Sequence, residues 1–267
     1  MLLREVEYAR PETVDEAVRL LSSRDNARPL AGGQSLVNVM KVRIASPDLV
    51  VDLNRIPELR EIRSPGDGSL ELGAMVTYAE MIASDEVCAA RPILAEVAVT
   101  IADVQVRNRG TIGGNICSND PTNHFPPLLA ALEATMTIRG AESERTVSSQ
   151  EFFEGVFATA AHPGELLTSV RVPAKGEARD GWASVTLGRD GTGIVNVAAS
   201  VSGGTARVAI GCVAATPIVV TSTADEAEVR DAVHSAPLDP PSDVHASADY
   251  RRHLAEVLGA RAVREAV

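Results

Sequence analysis

Two glycine pairs, each placed between an apolar stretch and a polar one, constrain this chain more than any other feature. The first lies in residues 30–36, which read LAGGQSL, and the second in residues 111–115, which read TIGGN. Glycine tolerates positive φ and leaves no Cβ in the path of a ligand. Successive backbone N–H groups in such a loop form a concavity that suits a diphosphate. Either loop alone is weak evidence, but two together predict a dinucleotide held between them.

Composition narrows the class of protein further. The chain has 267 residues, 45% of them hydrophobic, which is enough for one large domain or two smaller ones. Its formal net charge of −11 argues against a nucleic-acid partner, because an acidic surface repels phosphate. The three cysteines form no C-x-x-C pair, so no metal site or iron–sulfur cluster is expected on this chain. The amino terminus lacks a secretory pattern and no apolar run is long enough to span a membrane, so a cytoplasmic protein is expected.

Hydrophobic periodicity predicts an α+β chain in three sections. Residues 1–54 predict the order β-α-β-α-β, with a capping box at Thr13 and Glu16 and with Ser35 capping the second helix. The first glycine pair then follows a strand, which is where ligands bind in α/β sheets. Residues 55–175 predict a second α+β unit that carries the second glycine pair. The polar residues 174–181 predict a linker to a small sheet with two helices.

Other motifs are missing or ambiguous. The sequence has no G-x-G-x-x-G turn, no P-loop and no G-x-S-x-G elbow, which argues against classical NAD folds, P-loop hydrolysis and serine hydrolases. Each glycine pair alone could be a simple tight turn, and His124 could be either a packed loop histidine or a cofactor contact. No acid–base pair can be assembled, so no catalytic residue is predicted and the chemistry is assigned to a bound cofactor.

With these motifs in place, the chain resembles the FAD-binding medium subunit of molybdenum hydroxylases, the group that includes aerobic carbon monoxide dehydrogenase and xanthine dehydrogenase-type enzymes. The likeness runs almost end to end. Its most specific part is the pair of glycine motifs with the lead-in QVRN before the second. It rests on residues 31–36, 50–54, 101–115, 163–167 and 246–252.

The resemblance implies a fold and a division into domains. Residues 1–175 would form an FAD-binding domain of the vanillyl-alcohol-oxidase (PCMH) type, with α/β subdomains of about 1–54 and 55–175 and the flavin between them. Residues 181–267 would form the small α+β domain found at the carboxyl end of carbon monoxide dehydrogenase flavoproteins.

The resemblance also implies an activity. A large molybdenum-binding subunit would oxidise the substrate, and a small subunit with [2Fe–2S] clusters would relay electrons through FAD on this chain to an external acceptor. The complex is expected to be a dimer of heterotrimers, with substrate and acceptor left open. The alternative is a self-standing FAD-dependent oxidoreductase with its own substrate pocket.

By the same resemblance, the two glycine segments would hold the FAD diphosphate and ribityl chain through backbone N–H groups. Ile101 would pack against the isoalloxazine ring and Leu167 would lie near it. His124 stands where the family usually has an acidic residue, and residues 186–191, around Arg189, depart from the family pattern. The complete set of predicted FAD-binding residues is Leu30, Ala31, Gly32, Gly33, Gln34, Ser35, Leu36, Ile101, Ala102, Thr111, Gly113, Gly114, Asn115, Asn123, His124 and Leu167.

Overall fold

The computed structural model describes residues 3–188 and 191–267, and it has the mixed helix and sheet content that the sequence predicts. Three sheets follow one another along the chain, with a short two-stranded ribbon beside the second. In the described part of the chain, no helix combines the length and apolar character needed to cross a membrane.

The first section forms a three-stranded parallel sheet in the order β1-β3-β2. The predicted β-α-β-α-β order is confirmed. Its elements are β1 (Glu7–Ala9), α1 (Val14–Ser22), β2 (Ala27–Leu30), α2 (Leu36–Lys41) and β3 (Leu49–Asp52).

The two predicted helix caps have different outcomes. The Thr13 hydroxyl accepts from the backbone N–H of Glu16, as predicted, but the Glu16 carboxylate accepts from the N–H of Glu12 rather than from that of Thr13. Ser35 makes no side-chain cap on α2, so that prediction was wrong. Its backbone is helical (φ −102°, ψ −55°), whereas a capping serine normally has an extended backbone.

The second section is a five-stranded antiparallel sheet in the order β4-β5-β10-β6-β7, covered by helices. Its first strands and helices are β4 (Ile62–Arg63), β5 (Leu70–Gly73), α3 (Tyr78–Ala83), α4 (Asp85–Ala90), α5 (Ile93–Val99), α6 (Val104–Arg107), α7 (Ile112–Ser118) and α8 (Phe125–Ala131). The remaining elements are β6 (Thr135–Arg139), β7 (Glu144–Ser148), α9 (Ser149–Phe152), the ribbon β8 (Phe153–Gly155) with β9 (Ala158–Thr159), and β10 (Leu166–Val172).

The second glycine pair lies in a helix and not in a loop. Gly113 and Gly114 belong to the first turn of α7, and neither has a positive φ. The left-handed residue is Asn119, which ends α7 with φ 39°. The interpretation of residues 113–115 as a simple turn was therefore wrong, because Thr111 caps a helix that begins directly after it.

The third section is a four-stranded antiparallel sheet in the order β11-β12-β13-β14, with two helices. The elements are β11 (Arg179–Leu187), β12 (Thr192–Ser202), β13 (Thr205–Gly211), β14 (Ile218–Thr223), α10 (Glu226–His234) and α11 (Ala248–Ala266). The predicted linker is shorter than residues 174–181, because β11 begins at Arg179. Gly181 lies in that strand against α11, where an added Cβ would be 2.0 Å from the Ala262 carbonyl oxygen.

The central strands of the third sheet, β12 and β13, are buried on both faces, because the sheet packs against the second section. Val197 and Val208 belong to the core shared with α10 and α11, whereas Ala198 and Ala209, which alternate with them, pack into the core of the second section. A buried ion pair joins the same two sections, with Arg91 Nη2 donating to Asp180 Oδ1 at 2.7 Å and to Ser200 Oγ at 3.1 Å.

Candidate functional site

The structure brings the two glycine segments together. A Cβ added at Gly32 would lie 2.0 Å from the carbonyl oxygen of Arg109, two residues before the second segment. A Cβ added at Gly114 would lie 3.5 Å from the Cβ of Ala31. The two segments, which are predicted to hold a dinucleotide between them, are therefore in contact, and the first segment lies at the carboxyl end of β2.

The physical reason for the glycines differs from the expected one at two positions. Gly113 adjoins the backbone of the second sheet, where an added Cβ would lie 2.5 Å from the Ala74 carbonyl oxygen. At Gly32 the obstacle is likewise protein backbone. These glycines make room for the approach of two chain segments, whereas Gly33, with φ +75°, is the one that uses glycine's conformational freedom.

The backbone N–H groups of the second segment already have acceptors in the protein. Gly113 N donates to Ala74 O at 2.9 Å, Gly114 N to the Thr111 hydroxyl at 3.0 Å, and Asn115 N to Thr111 O at 3.0 Å. Thr111 is buried and also forms a β-bridge with Thr77. The start of α7 is thus fixed within the second section by hydrogen bonds to its own cap and to residue 74.

The first segment has the opposite character. The carbonyl oxygens of Gly33 and Ser35 accept from α2. Within residues 3–188 and 191–267, the N–H groups of residues 32–35 have no acceptor. Residues 32–34 are half-buried and Ser35 is exposed. Consecutive N–H donors without acceptors in a glycine turn suit a bound anion such as a diphosphate, so these residues fit the dinucleotide that the sequence predicts.

Asn54 and Asp52 support the first segment, and the predicted site did not include them. The Asn54 amide donates to Ala31 O at 3.1 Å and to Asp52 Oδ1 at 2.6 Å. Burial by itself raises the pKa of Asp52, but hydrogen bonds from Tyr8 and Asn54 outweigh burial and lower it, so the carboxyl is an ionised acceptor. The signal available in the sequence was a polar residue at the end of a buried strand, Asp52, followed two residues later by a second one, Asn54.

His124 lies in a different environment from the one its loop position suggested. Its ring is buried and stacks on Trp182 of β11, with ring centroids 5.4 Å apart and planes at 27°. Desolvation lowers its pKa to about 4, so the ring is neutral at pH 7. Among the described residues, His124 Nε2 and the nearby Asn115 Oδ1 are buried without a hydrogen-bond partner. Such atoms call for a further polar partner, and an FAD ribityl hydroxyl has the required chemistry.

The remaining predicted residues are distributed along the same region. Asn123 donates to the Asn115 carbonyl at 3.0 Å, which ties its loop to α7. Ile101 is partly buried against the core of the second section, and Ala102 has a positive φ of 44°. The Arg107 guanidinium donates to the backbone carbonyls of both residues. Leu167 is buried in β10. Leu30, Gln34 and Leu36 are half-buried members of the first segment.

The segment that departs from the family pattern is described only in part. Arg189 and Asp190 lie outside the described residues. An added Cβ at Gly191 would be 2.7 Å from the Thr100 carbonyl oxygen, so this end of β12 lies against the chain that leads into Ile101. Two cavities, of about 210 and 270 Å³, are lined around Met40 and around Ser149, and no predicted site residue lines these two.

Comparison with known proteins agrees with this geometry. Residues 4–175 match the family described as the FAD binding domain in molybdopterin dehydrogenase. The carbon monoxide dehydrogenase medium chain of Afipia carboxidovorans is 38% identical over 97% of this chain and 96% of its own length. The glyceraldehyde dehydrogenase medium chain of Sulfolobus acidocaldarius is 35% identical over 98% of both chains.

Solved structures give the same result. A chain of reconstituted CO dehydrogenase from Oligotropha carboxidovorans superposes with a TM-score of 0.94 at 35% identity, covering 100% of this chain and 99% of that one. A chain of quinoline 2-oxidoreductase from Pseudomonas putida 86 gives 0.90 at 31% identity, covering 100% and 98%. The chain therefore belongs to the family of FAD-binding domains of molybdopterin dehydrogenases, and it is a flavoprotein subunit of the molybdenum hydroxylase type.

Proposed function

We propose that this chain is the electron-transfer subunit of a heteromeric molybdenum hydroxylase and binds FAD between its two glycine segments. The observation that carries the proposal is the contact between those segments, with uncommitted N–H donors at residues 32–35. When bound, FAD supplies the redox chemistry. The proposed architecture is a PCMH-type domain over residues 1–175, with subdomains of about 1–54 and 55–175, and a further domain over residues 181–267.

The first segment would bind the diphosphate through the N–H groups of Gly32, Gly33, Gln34 and Ser35, with the Ala31 peptide oriented by Asn54. Contrary to the prediction from the sequence, the second segment would not bind FAD through its backbone N–H groups. Since the N–H groups of Gly113, Gly114 and Asn115 already have acceptors, its contribution would be the side chain of Asn115 and close packing against Ala31.

The other proposed contacts follow from burial and polarity. His124 would present its unpartnered Nε2 to a ribityl hydroxyl, with Asn123 holding the loop in place. Ile101, with Ala102 beside it, would pack against the isoalloxazine ring, and Leu167 would border it from β10. Leu30, Leu36 and Thr111 would complete the walls of the site.

The partners are proposed from the relatives. Curated relatives that match nearly the whole chain are named as medium chains or as subunits of dehydrogenase complexes. We propose that a small [2Fe–2S] subunit delivers electrons from a large molybdenum-binding subunit, in a dimer of heterotrimers in the cytoplasm. The alternative, a self-standing oxidoreductase, predicts a substrate pocket over the flavin and turnover by the chain without partners.

The test begins with native purification of the protein from its host, followed by an absorption spectrum and metal analysis. Flavin bands with iron, molybdenum and two further polypeptides are expected. A single yellow polypeptide that turns over a substrate alone would establish the alternative. A colourless chain that takes up no added FAD would contradict the proposed cofactor site altogether.

A further inference from the structure

We propose that Asn196, in the third sheet, is a positioning residue for the flavin site. The inference rests on the proposed function above, and it assigns to the third section a direct part in shaping the FAD site. Asn196 would act by holding the backbone of Thr122 and Asn123, residues that in turn position Asn115 and His124.

The contacts of Asn196 are specific. Its side chain is fully buried in β12, and Nδ2 donates to Thr122 O at 3.1 Å and to Asn123 O at 3.4 Å. A buried amide is costly unless its hydrogen bonds are made, and within the described residues Oδ1 has no partner. Nδ2 also lies 3.5 Å from Cys212 Sγ, within its own sheet. Apolar packing alone would not require an amide here, so we assign the significance of this side chain to its two donor contacts with the loop.

Gly193 makes these contacts possible. A Cβ added there would lie 2.4 Å from Asn196 Nδ2 and 2.8 Å from Thr122 O. Its φ is not in the left-handed region, so a glycine is required for space and not for conformation. The absent side chain leaves the gap in which the amide of the third sheet meets the loop of the second section.

The loop transmits this restraint to the predicted site. The backbone N–H and hydroxyl of Thr122 both donate to Asp120 Oδ1, at 2.9 and 2.8 Å, which closes the turn. Asn123 Nδ2 then donates to Asn115 O at 3.0 Å and to Ser118 Oγ at 3.1 Å. A shift of the 122–123 backbone would therefore move both Asn115 in α7 and the neighbouring His124.

The test compares two substitutions on one strand of the full-length chain. Asn196→Ala removes the donors to the loop. Ser200→Ala, the matched control, also removes an interdomain hydrogen bond, the one from Arg91, but it lies outside the loop. Three quantities are measured: the Kd for FAD, the flavin midpoint potential, and amide hydrogen exchange of residues 120–124 in the FAD-free chain.

We expect Asn196→Ala to raise the Kd for FAD about tenfold, an effect of the size of one lost hydrogen bond, and to shift the midpoint potential. We also expect faster exchange at the Asn123 amide, which donates to Asp120 O in the native loop. Ser200→Ala should leave all three quantities at their native values. Gly193→Ala should act like Asn196→Ala, and it preserves the test if the latter fails to fold.

Native FAD affinity and potential in a folded Asn196→Ala variant would overturn the inference, as would equal losses in Asn196→Ala and Ser200→Ala. The exchange measurement separates this result from failure of the proposed function. If the native chain takes up no FAD, the proposed function is wrong. In that case the amide hydrogen exchange of residues 120–124 still tests the restraint: faster exchange in Asn196→Ala supports it, and unchanged exchange refutes it.

Discussion

The side-chain amide of Asn54 donates a hydrogen bond to the backbone carbonyl of Ala31 across 3.1 Å, and so joins the end of β3 to the start of the first glycine segment. The same side chain is held from the other direction, since Arg60 Nη2 donates to its Oδ1 at 3.0 Å. Asp52 accepts from its amide and its backbone N–H. The orientation of the Ala31 peptide is therefore set by a network of polar side chains and not by the glycines alone.

Asn54→Ala removes the hydrogen bond that orients the Ala31 peptide. We expect the Kd for FAD to rise about tenfold, which corresponds to the free energy of roughly one hydrogen bond. The change is measured by titrating the FAD-free protein and following flavin fluorescence. Asn26→Ala is the matched control, because its amide also donates to a backbone carbonyl, that of Ser46, but away from the glycine segments. Equal Kd values for the two variants would contradict the supporting role of Asn54.

Gly113→Ala is expected to lower the free energy of unfolding by about 1–3 kcal/mol and to impair FAD binding, since the added methyl meets the Ala74 backbone. Denaturant unfolding and FAD titration are the measurements. Gly140→Ala serves as the control, because its added methyl would make ordinary contacts, the nearest at 3.5 Å. A Gly113→Ala protein with native stability would show that the close approach to Ala74 is not tight.

Because of His124, we expect the free energy of unfolding to fall as the pH falls. The pKa of His124 is about 4 in the folded chain against an ordinary value of 6.5, so between these values only the unfolded state takes up the proton. The free energy of unfolding should therefore fall by on the order of 2 kcal/mol between pH 7 and pH 5 through this residue. His124→Phe should flatten the dependence relative to the native chain, whereas substitution of the exposed His245 by glutamine should leave it intact.

Arg91→Met is expected to destabilise the protein by about 3–5 kcal/mol, because it leaves the Asp180 carboxylate buried without a counter-charge. The double variant Arg91→Met with Asp180→Leu should recover much of that loss, as a charge-free pair needs no compensation. Denaturant unfolding measures both. Substitution of the exposed pair Arg24 and Glu7 provides the comparison and should cost little. A double variant no more stable than Arg91→Met would contradict the account.

Much of the fold could be predicted from local patterns. The alternating strands and helices of the first section, and the small sheet with two helices at the end of the chain, depend on short-range hydrophobic periodicity, and the structure confirms them. The sequence also predicts that both glycine segments serve one ligand, and their contact in the structure is compatible with that prediction.

The unpredicted features depend on contacts between residues distant in sequence. No local sequence pattern predicts that Gly113 adjoins the Ala74 carbonyl or that Trp182 stacks on His124. Helix α7 was missed because two consecutive glycines are poor helix formers, and here the Thr111 cap and the hydrogen bonds to residues 74 and 76 override that propensity. The boundary at Arg179 was misplaced since Gly181 is typical of a linker until its packing on α11 is known.

The topology of the second sheet has a consequence for synthesis of the chain. The parallel sheet β1-β3-β2 uses only residues up to Asp52, so it can form early during translation. β5, which leads to the Ala74 carbonyl that holds Gly113, gains its central neighbour only when β10 emerges, ending at Val172. The contacts of Asn196 come later still. The proposed FAD site would therefore be complete only after these later strands have been synthesised, which makes cofactor uptake a late event in the synthesis of the chain.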